Sequence, residues 1–193
     1  MFEKILWCPV DIPKFPILDF SPDTNKSWAD WNFYKLTERT DSPYDITTFT
    51  ETAKNQYPEV IKWLENFPYL NIRNVKFNIQ KSFVTPHTDF DFPDKEPHVY
   101  KNNQDNEPCG YRILINGKRE NSLFVMDGNK KIHTIMPTDT DVYVLGHTST
   151  VHGVESEPGR QTMFLHFEID KEKHLELLEK SYKKYKNYAI IKS

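Results

Sequence analysis

The feature that most constrains the fold is a run of short β-type segments in the second half of the chain. Six segments are rich in β-branched and aromatic residues: 75–84, 111–115, 122–126, 131–135, 141–145 and 161–169. The pairs Asn116-Gly117, Asp127-Gly128 and Pro158-Gly159 are turn signals between them. Several short strands joined by turns are typical of a sandwich or a jelly roll, so a mainly β fold is predicted.

Helical patterns flank this β-rich region on both sides. Before it, apolar residues recur at helical spacing between Pro58, which suits a first helical turn, and Pro68, which ends the helix. After it, Asp170 can cap a second helix, on which one apolar stripe is formed by Leu175, Leu178, Tyr182 and Tyr185. We expect the helices to pack on one face of the β core.

The length of 193 residues is enough for one domain with a substantial core. We therefore predict a single domain over residues 1–193, divided into three parts. Residues 1–70 form an N-terminal wrapping segment with a helix, and residues 75–169 form the β core. Residues 170–193 form a basic helix, whose lysines we expect to lie on its solvated side.

Composition and charge narrow the class of protein. No apolar run approaches the roughly 20 residues of a membrane span, and residues 1–10 lack the pattern of a secretory signal. Two cysteines, Cys8 and Cys109, make no disulfide framework or thiolate metal site by count alone. The net charge of −3 argues against nucleic acid as a partner. A soluble, cytoplasmic protein without a membrane partner is expected, and no oligomeric state is indicated.

A candidate metal site begins at the end of the first long predicted strand. His87 and Asp89 stand two residues apart there, and they can converge on one metal where the strand bends or ends. The third ligand of such a site is normally a distant histidine, and both His147 and His152 lie at a plausible distance. Two histidines and one carboxylate occupy one face of an octahedral metal, which suits non-haem Fe(II).

A candidate carboxylate site follows. Arg160 comes eight residues after His152, and Thr162 comes two residues later. Side chains two apart on a strand project to the same face. An arginine fork together with a hydroxyl can therefore bind one carboxylate there.

Taken in order, His87-x-Asp89, His152 and Arg160-x-Thr162 resemble the pattern of Fe(II)/2-oxoglutarate-dependent oxygenases. Within that superfamily, the segment 111–115 together with His152 and Arg160 resembles the aspartyl/asparaginyl β-hydroxylase-like branch. The resemblance implies a double-stranded β-helix, the jelly roll of the cupin type. It also implies Fe(II) held by His87, Asp89 and His152 as catalytic metal ligands, and 2-oxoglutarate bound by Arg160 and Thr162.

The activity that the resemblance implies is that of a dioxygenase. O₂ and 2-oxoglutarate are consumed, succinate and CO₂ are released, and an amino acid, free or within a protein, is hydroxylated. His152 is preferred to His147 as the third ligand because it stands in a strand-like setting at the family's distance from Arg160. Two alternatives remain open: a catalytically silent jelly-roll binding module, and a cupin-like metalloenzyme that does not use 2-oxoglutarate.

Two further features concern the substrate. Arg112 is a cation on an otherwise apolar strand, so it needs an anionic partner. That partner is either an acidic residue of a neighbouring element or, as the resemblance implies, the carboxylate of the substrate. The polar, proline-containing loop over residues 90–108 directly follows Asp89, and we expect it to close over the site as a lid.

Overall fold

A computed structural model describes the chain over seven ranges. They are residues 4–17, 20–24, 26–28, 31–40, 47–88, 110–146 and 150–193. Asp89, His147 and the loop 90–108 lie outside these ranges, so the carboxylate ligand, the alternative third ligand and the lid stay predictions.

The described residues form fourteen strands and three helices. In chain order they are β1 (Ile5–Pro9), β2 (Lys26–Trp28), β3 (Trp31–Lys35), β4 (Thr37–Arg39), β5 (Thr47–Phe49), α1 (Glu51–Gln56), α2 (Pro58–Leu64), β6 (Tyr69–Gln80), β7 (Val84–His87), β8 (Gly110–Asn116), β9 (Glu120–Asp127), β10 (Lys130–Ile135), β11 (Val142–Leu145), β12 (His152–Val154), β13 (Gln161–Ile169), α3 (Lys171–Tyr185) and β14 (Ile190–Ile191).

The order of the strands defines the fold. A larger sheet has the order β14-β1-β11-β8-β13-β6-β3-β2, and a smaller sheet has the order β10-β9-β12-β7. Their neighbouring strands pair antiparallel. From β6 to β13 the chain changes sheet at every step except the β9–β10 hairpin, which is the path of a jelly roll. The predicted double-stranded β-helix with flanking helices is therefore confirmed.

The N-terminal region contributes more to the sheet than the predicted wrapping segment implies. Strand β1 pairs with β11, and β3 pairs with β6, so both sides of the larger sheet are extended by N-terminal strands. All five residues of β1 are buried. The sequence of β1 is apolar on both faces and does not alternate, which is why the pattern gave little indication of a strand.

The predicted strand 75–84 covers the end of one strand, β6, and the first residue of the next, β7. Strand β6 begins six residues earlier, at Tyr69, and ends at Gln80, whereas Val84 begins β7 in the other sheet. The amide of Gln80 stabilises the reversal between them, because its Nε2 donates to the Ser82 carbonyl at 2.6 Å and to the Glu155 carbonyl at 2.7 Å. His87 therefore ends the second strand of the core, not the first.

Helix positions follow the predicted signals closely. Pro58 opens α2, although this helix ends at Leu64, before Pro68 is reached. Asp170 caps α3, with its side chain accepting from the Lys173 backbone N–H. The described helices include none that is both long and apolar enough to cross a membrane.

Two apolar layers hold the molecule together. The outer layer lies between the larger sheet and the helices, and it includes Val75, Phe77, Ile113 and Leu178. The inner layer lies between the two sheets, and its buried members are Leu6, Trp7, Val84, Leu114, Leu123, Val125, Met136, Tyr143, Leu145 and Val154.

Because side chains alternate along a strand, each strand of the larger sheet has one face toward the outer layer and the other toward the inner layer. On β13, Met163 and Leu165 belong to the outer layer, so Thr162 and Phe164 face the smaller sheet. On β8, Leu114 belongs to the inner layer, and Arg112 shares its face. Thr162 and Arg112, two of the predicted candidate residues, thus lie on the inward side of the larger sheet.

A polar contact also anchors α3 to the outer layer. The Tyr111 hydroxyl and Nδ1 of His174 are 2.5 Å apart, and both residues are buried. Burial raises the pKa of the Tyr111 phenol well above its ordinary value, so the hydroxyl keeps its proton and the contact is a hydrogen bond.

Leu165→Ala tests the outer layer. Leu165 is 0% exposed, and its truncation should lower the free energy of unfolding by roughly 2–5 kcal/mol because a cavity remains. Leu70→Ala on β6 is the matched control, since Leu70 is 58% exposed, and it should change stability by less than about 0.5 kcal/mol. Urea unfolding measures both, and equal losses would contradict the assignment of Leu165 to the core.

Candidate metal centre

His87 and His152 meet on neighbouring strands of the smaller sheet. Strand β7 pairs antiparallel with β12, and the two histidines are direct partners in the register. Their ring centroids are 4.5 Å apart, with an angle of 50° between the ring planes. The structure therefore brings together two residues that lie 65 positions apart in the chain.

A β-bulge in β7 determines the direction of the His87 side chain. Val84 is paired with Val154 and His87 with His152, so three steps along β7 correspond to two along β12. In an unbroken strand, Val84 and His87 would face opposite sides, because they are separated by an odd number of residues. The extra residue turns His87 to the inward side that Val84 and His152 share.

Pro86 is compatible with this geometry because of where β7 lies. The strand is at the edge of the smaller sheet, and a proline within a sheet is confined to edges and bulges since it has no N–H to donate. The sequence Thr85-Pro86-His87 thus carries a signal for an edge strand that the sequence analysis did not use.

Backbone carbonyls fix the orientation of both imidazoles. Nδ1 of His87 lies 2.8 Å from the Thr85 carbonyl, and Nδ1 of His152 lies 3.0 Å from the Thr150 carbonyl. A carbonyl can only accept, so each Nδ1 carries the proton and donates it. In the neutral ring the lone pair is then on Nε2, the form in which histidine binds metals.

Burial differs between the two histidines. His152 is buried, whereas His87 is half-buried at the end of the edge strand. Within the ranges that the structure describes, no group of three or more His, Cys, Asp or Glu side chains is placed to hold a metal ion. Asp89 follows His87 by two residues and lies outside those ranges, as does His147.

Arg160, directly before β13, and Thr162, its second residue, are both buried. Arg160 is 3% exposed, and in the described part of the chain its buried Nε has no hydrogen-bond partner. Oε2 of Glu157 forms an ion pair with that Nε at 4.0 Å, a distance too long for a hydrogen bond. Thr162 lies in register between Asn78 of β6 and Leu114 of β8. A guanidinium N–H and a hydroxyl are both groups that can donate to a carboxylate.

Gly117 makes room for the Arg160 side chain. Its φ of +139° lies in the region that favours glycine, and a Cβ at this position would stand 2.8 Å from Cγ of Arg160. The turn that the sequence predicted at Asn116-Gly117 thus has a second role, because its glycine lets Arg160 pack against the backbone.

Arg112 is 9% exposed and faces the inner side of the larger sheet. Its guanidinium carbon lies 4.2 Å from the centre of the Phe164 ring, the partner residue on β13. The ring of His166 is in edge contact with that of Phe164, with centroids 4.0 Å apart. The Phe164 ring therefore makes a cation–π contact with the Arg112 guanidinium.

The sequence analysis did not identify Lys76, a second cationic side chain on the inward face of the larger sheet. Lys76 on β6 is the register partner of Phe164, on the side opposite to Arg112. The signal was present in Val75-Lys76-Phe77, since a lysine between two buried residues of a strand points to the other face.

Gly117→Ala should destabilise the protein more than Gly128→Ala does. Both glycines have positive φ, +139° and +58°, but a Cβ at Gly128 would meet no atom within 4 Å. Gly128→Ala should therefore lose on the order of 1 kcal/mol from backbone strain alone, and Gly117→Ala should lose more because its φ is nearly restricted to glycine and because Arg160 must also move. Urea unfolding measures the two free energies, and an equal loss would show that Arg160 does not rest on Gly117.

Comparisons with known proteins give limited information. No protein-family model matches the chain, and no curated protein matches it. A crystal structure of an oxidoreductase of the 2OG-Fe(II) oxygenase family from Burkholderia pseudomallei is similar over 81% of this chain and 71% of that one. The identity is 10% and the TM-score 0.38, so the assignment of the fold rests on the strand order of this chain itself.

Proposed function

We propose that this chain is an Fe(II)- and 2-oxoglutarate-dependent dioxygenase that hydroxylates an amino acid, either free or within a protein. The observation that carries the proposal is the pair of inward-facing histidines, each with its Nδ1 donating to a backbone carbonyl. Paired imidazoles with fixed tautomers on adjacent strands are a preorganised half of a metal site.

The donor set fits non-haem Fe(II). Imidazole nitrogens are suitable ligands for iron, and two of them with one carboxylate leave positions open for other ligands. In this proposal Nε2 of His87 and Nε2 of His152 hold the metal. Asp89 supplies the carboxylate, which its position two residues after His87 makes available at the end of the edge strand.

Arg160 and Thr162 are proposed to bind the distal carboxylate of 2-oxoglutarate. The support is the buried Nε of Arg160, which makes no hydrogen bond within the described residues, and the buried hydroxyl of Thr162 two residues further on. An unsatisfied buried donor is unfavourable by about 1–3 kcal/mol, more if charged, and an anionic ligand would remove that penalty.

These positions give the metal, the cosubstrate and the protein separate roles in the proposed reaction. When bound, the iron and the cosubstrate supply oxidative chemistry that converts 2-oxoglutarate and O₂ into succinate, CO₂ and a hydroxylated product. The chain orients the cosubstrate through Arg160, directs Nε2 of both imidazoles to the metal through the two carbonyls that hold Nδ1, and presents the substrate by way of Arg112. The inner apolar layer limits the access of water to the site.

His87→Ala and His152→Ala should each abolish tight Fe(II) binding, because each removes one of the nitrogen ligands. The loss of affinity should exceed the roughly 10–100-fold that loss of an outer-shell partner causes, and Asp89→Ala should behave alike. Anaerobic isothermal titration calorimetry with Fe(II) measures the affinity. His133→Ala is the matched control, since His133 lies on the same sheet but contacts Glu155 and the ring of Phe124. Undiminished metal binding in both variants, with the fold intact, would rule out the site.

Arg160→Ala should weaken the apparent affinity for 2-oxoglutarate while leaving Fe(II) binding nearly unchanged. The loss of one partner of a buried charged pair is typically about 2–5 kcal/mol. Thr162→Val should lose only about 0.5–1.5 kcal/mol, the contribution of one hydrogen bond.

Succinate release over a panel of amino acids and peptides, at varied 2-oxoglutarate concentration, gives the readout. A metal-dependent activity that needs no 2-oxoglutarate would favour the cupin-like alternative. Metal binding without any turnover across the panel would favour a binding module.

A further inference from the structure

Glu157 is the acidic side chain that lies beside the Arg160 guanidinium. Its Oε2 forms an ion pair with Nε of Arg160 at 4.0 Å, and within the described residues both atoms are buried without a hydrogen-bond partner. The Arg160 backbone N–H donates to the Glu157 carbonyl at 3.0 Å, which closes the turn at Pro158-Gly159. The local sequence therefore brings a carboxylate to the arginine.

The turn between β8 and β9 holds the other oxygen of the Glu157 carboxylate. Oε1 accepts from the Lys118 backbone N–H at 2.6 Å. A Cβ at Gly117 would stand 3.2 Å from this oxygen and 2.8 Å from Cγ of Arg160, so the glycine lets both side chains approach the same stretch of backbone. One carboxylate oxygen is thus anchored to the turn, and the other is paired with Arg160.

Strand β6 holds the backbone of Arg160. The Gln80 backbone N–H donates to the Arg160 carbonyl at 2.9 Å, and the Gly159 backbone N–H donates to the Gln80 carbonyl at 2.9 Å. Both members of the ion pair are therefore fixed, and their 4.0 Å separation exceeds the roughly 2.7–2.9 Å of a charge-assisted hydrogen bond. Glu157 offsets the charge of Arg160 without accepting a hydrogen bond from its Nε, so a ligand can still accept one.

Water screens this pair only weakly. The side chain of Arg160 is 2% exposed and that of Glu157 is 16% exposed, and partly buried charges are screened much less than exposed ones. A second carboxylate at Arg160 would therefore be attracted by the guanidinium and repelled by Glu157 at the same time.

We propose that Glu157 is an internal counter-ion that limits the affinity of Arg160 for the carboxylate of a ligand. Without a ligand, Glu157 stabilises the buried guanidinium, which would otherwise be an uncompensated charge. With a ligand bound, two carboxylates share one cation, and the affinity is lower than Arg160 alone would give. The inference rests on the proposed function only for the identity of the ligand as 2-oxoglutarate.

Glu157→Gln tests the proposal because it removes the charge and keeps an oxygen that can accept from the Lys118 N–H. Glutarate is titrated by calorimetry into the metal-free full-length protein, and 2-oxoglutarate into the protein loaded anaerobically with Mn(II). We expect both to bind about five-fold or more tightly than in the wild type, since a like charge is removed. The melting temperature of the ligand-free protein should fall, because Arg160 loses its counter-ion.

These opposite changes distinguish a counter-ion from a residue that only supports the fold. Loss of a purely structural contact would lower the melting temperature without tightening the binding of any carboxylate. Glu157→Asp keeps the charge and should not tighten binding. Adding Arg160→Ala to Glu157→Gln should abolish the gain in affinity, because the ligand then has no guanidinium to bind.

Glu155→Gln is the matched control. Glu155 lies two residues before Glu157 and pairs instead with Lys131 and His133, with a side chain that is 33% exposed. The same change of charge there should alter the affinity for glutarate by less than about two-fold, because exposed charges are screened.

Four results would overturn the proposal: equal or weaker binding of glutarate by folded Glu157→Gln, the same gain in Glu155→Gln, a gain that survives Arg160→Ala, or no binding of glutarate by either the wild type or Glu157→Gln. The two titrations also separate this inference from the proposed function. If Glu157→Gln tightens glutarate binding while Mn(II) and 2-oxoglutarate do not bind, the counter-ion is supported and the oxygenase proposal has failed. If Mn(II) and 2-oxoglutarate bind but Glu157→Gln does not tighten binding, only the counter-ion has failed.

Discussion

The pairing of β7 with β12 is the contact on which the candidate site depends. It sets His87 opposite His152, and the bulge in β7 turns the His87 imidazole to the inward side that His152 already faces. A slip of one residue in this register would send the His87 side chain to the other face of the sheet. Pro86 tolerates this position because β7 is an edge strand, and the carbonyls of Thr85 and Thr150 then fix both rings.

The jelly roll separates two kinds of chemistry by placing them on different sheets. The smaller sheet carries the two imidazoles, whose Nε2 atoms suit a metal, whereas the larger sheet carries arginine side chains, which suit carboxylates. Arg160 directly precedes β13. Arg112 is paired with Phe164 of the same strand, two register pairs beyond Thr162, so both proposed carboxylate sites lie along β13. The described helices pack on the outer face of the larger sheet, and its inner face is turned toward the smaller sheet.

Much of the fold was predictable because alternation and turn chemistry are local properties of the sequence. The β core and the cap at Asp170 followed from such patterns. The reversal after Gln80 did not, because the amide that stabilises it bonds to a carbonyl 75 residues away. For the same reason the sequence could propose His87 and His152 as partners but could not show the bulge that aligns them. Lys76 was missed because only the register places it beside Phe164.

The central claim is that His87 and His152 bind one metal through their Nε2 atoms. Anomalous diffraction from crystals soaked anaerobically with Mn(II) and 2-oxoglutarate tests this most directly. The account predicts one strong anomalous peak bonded to both Nε2 atoms, with a carboxylate of 2-oxoglutarate on the guanidinium of Arg160. A peak bonded to neither imidazole, or the absence of any ordered metal at saturating Mn(II), would contradict it.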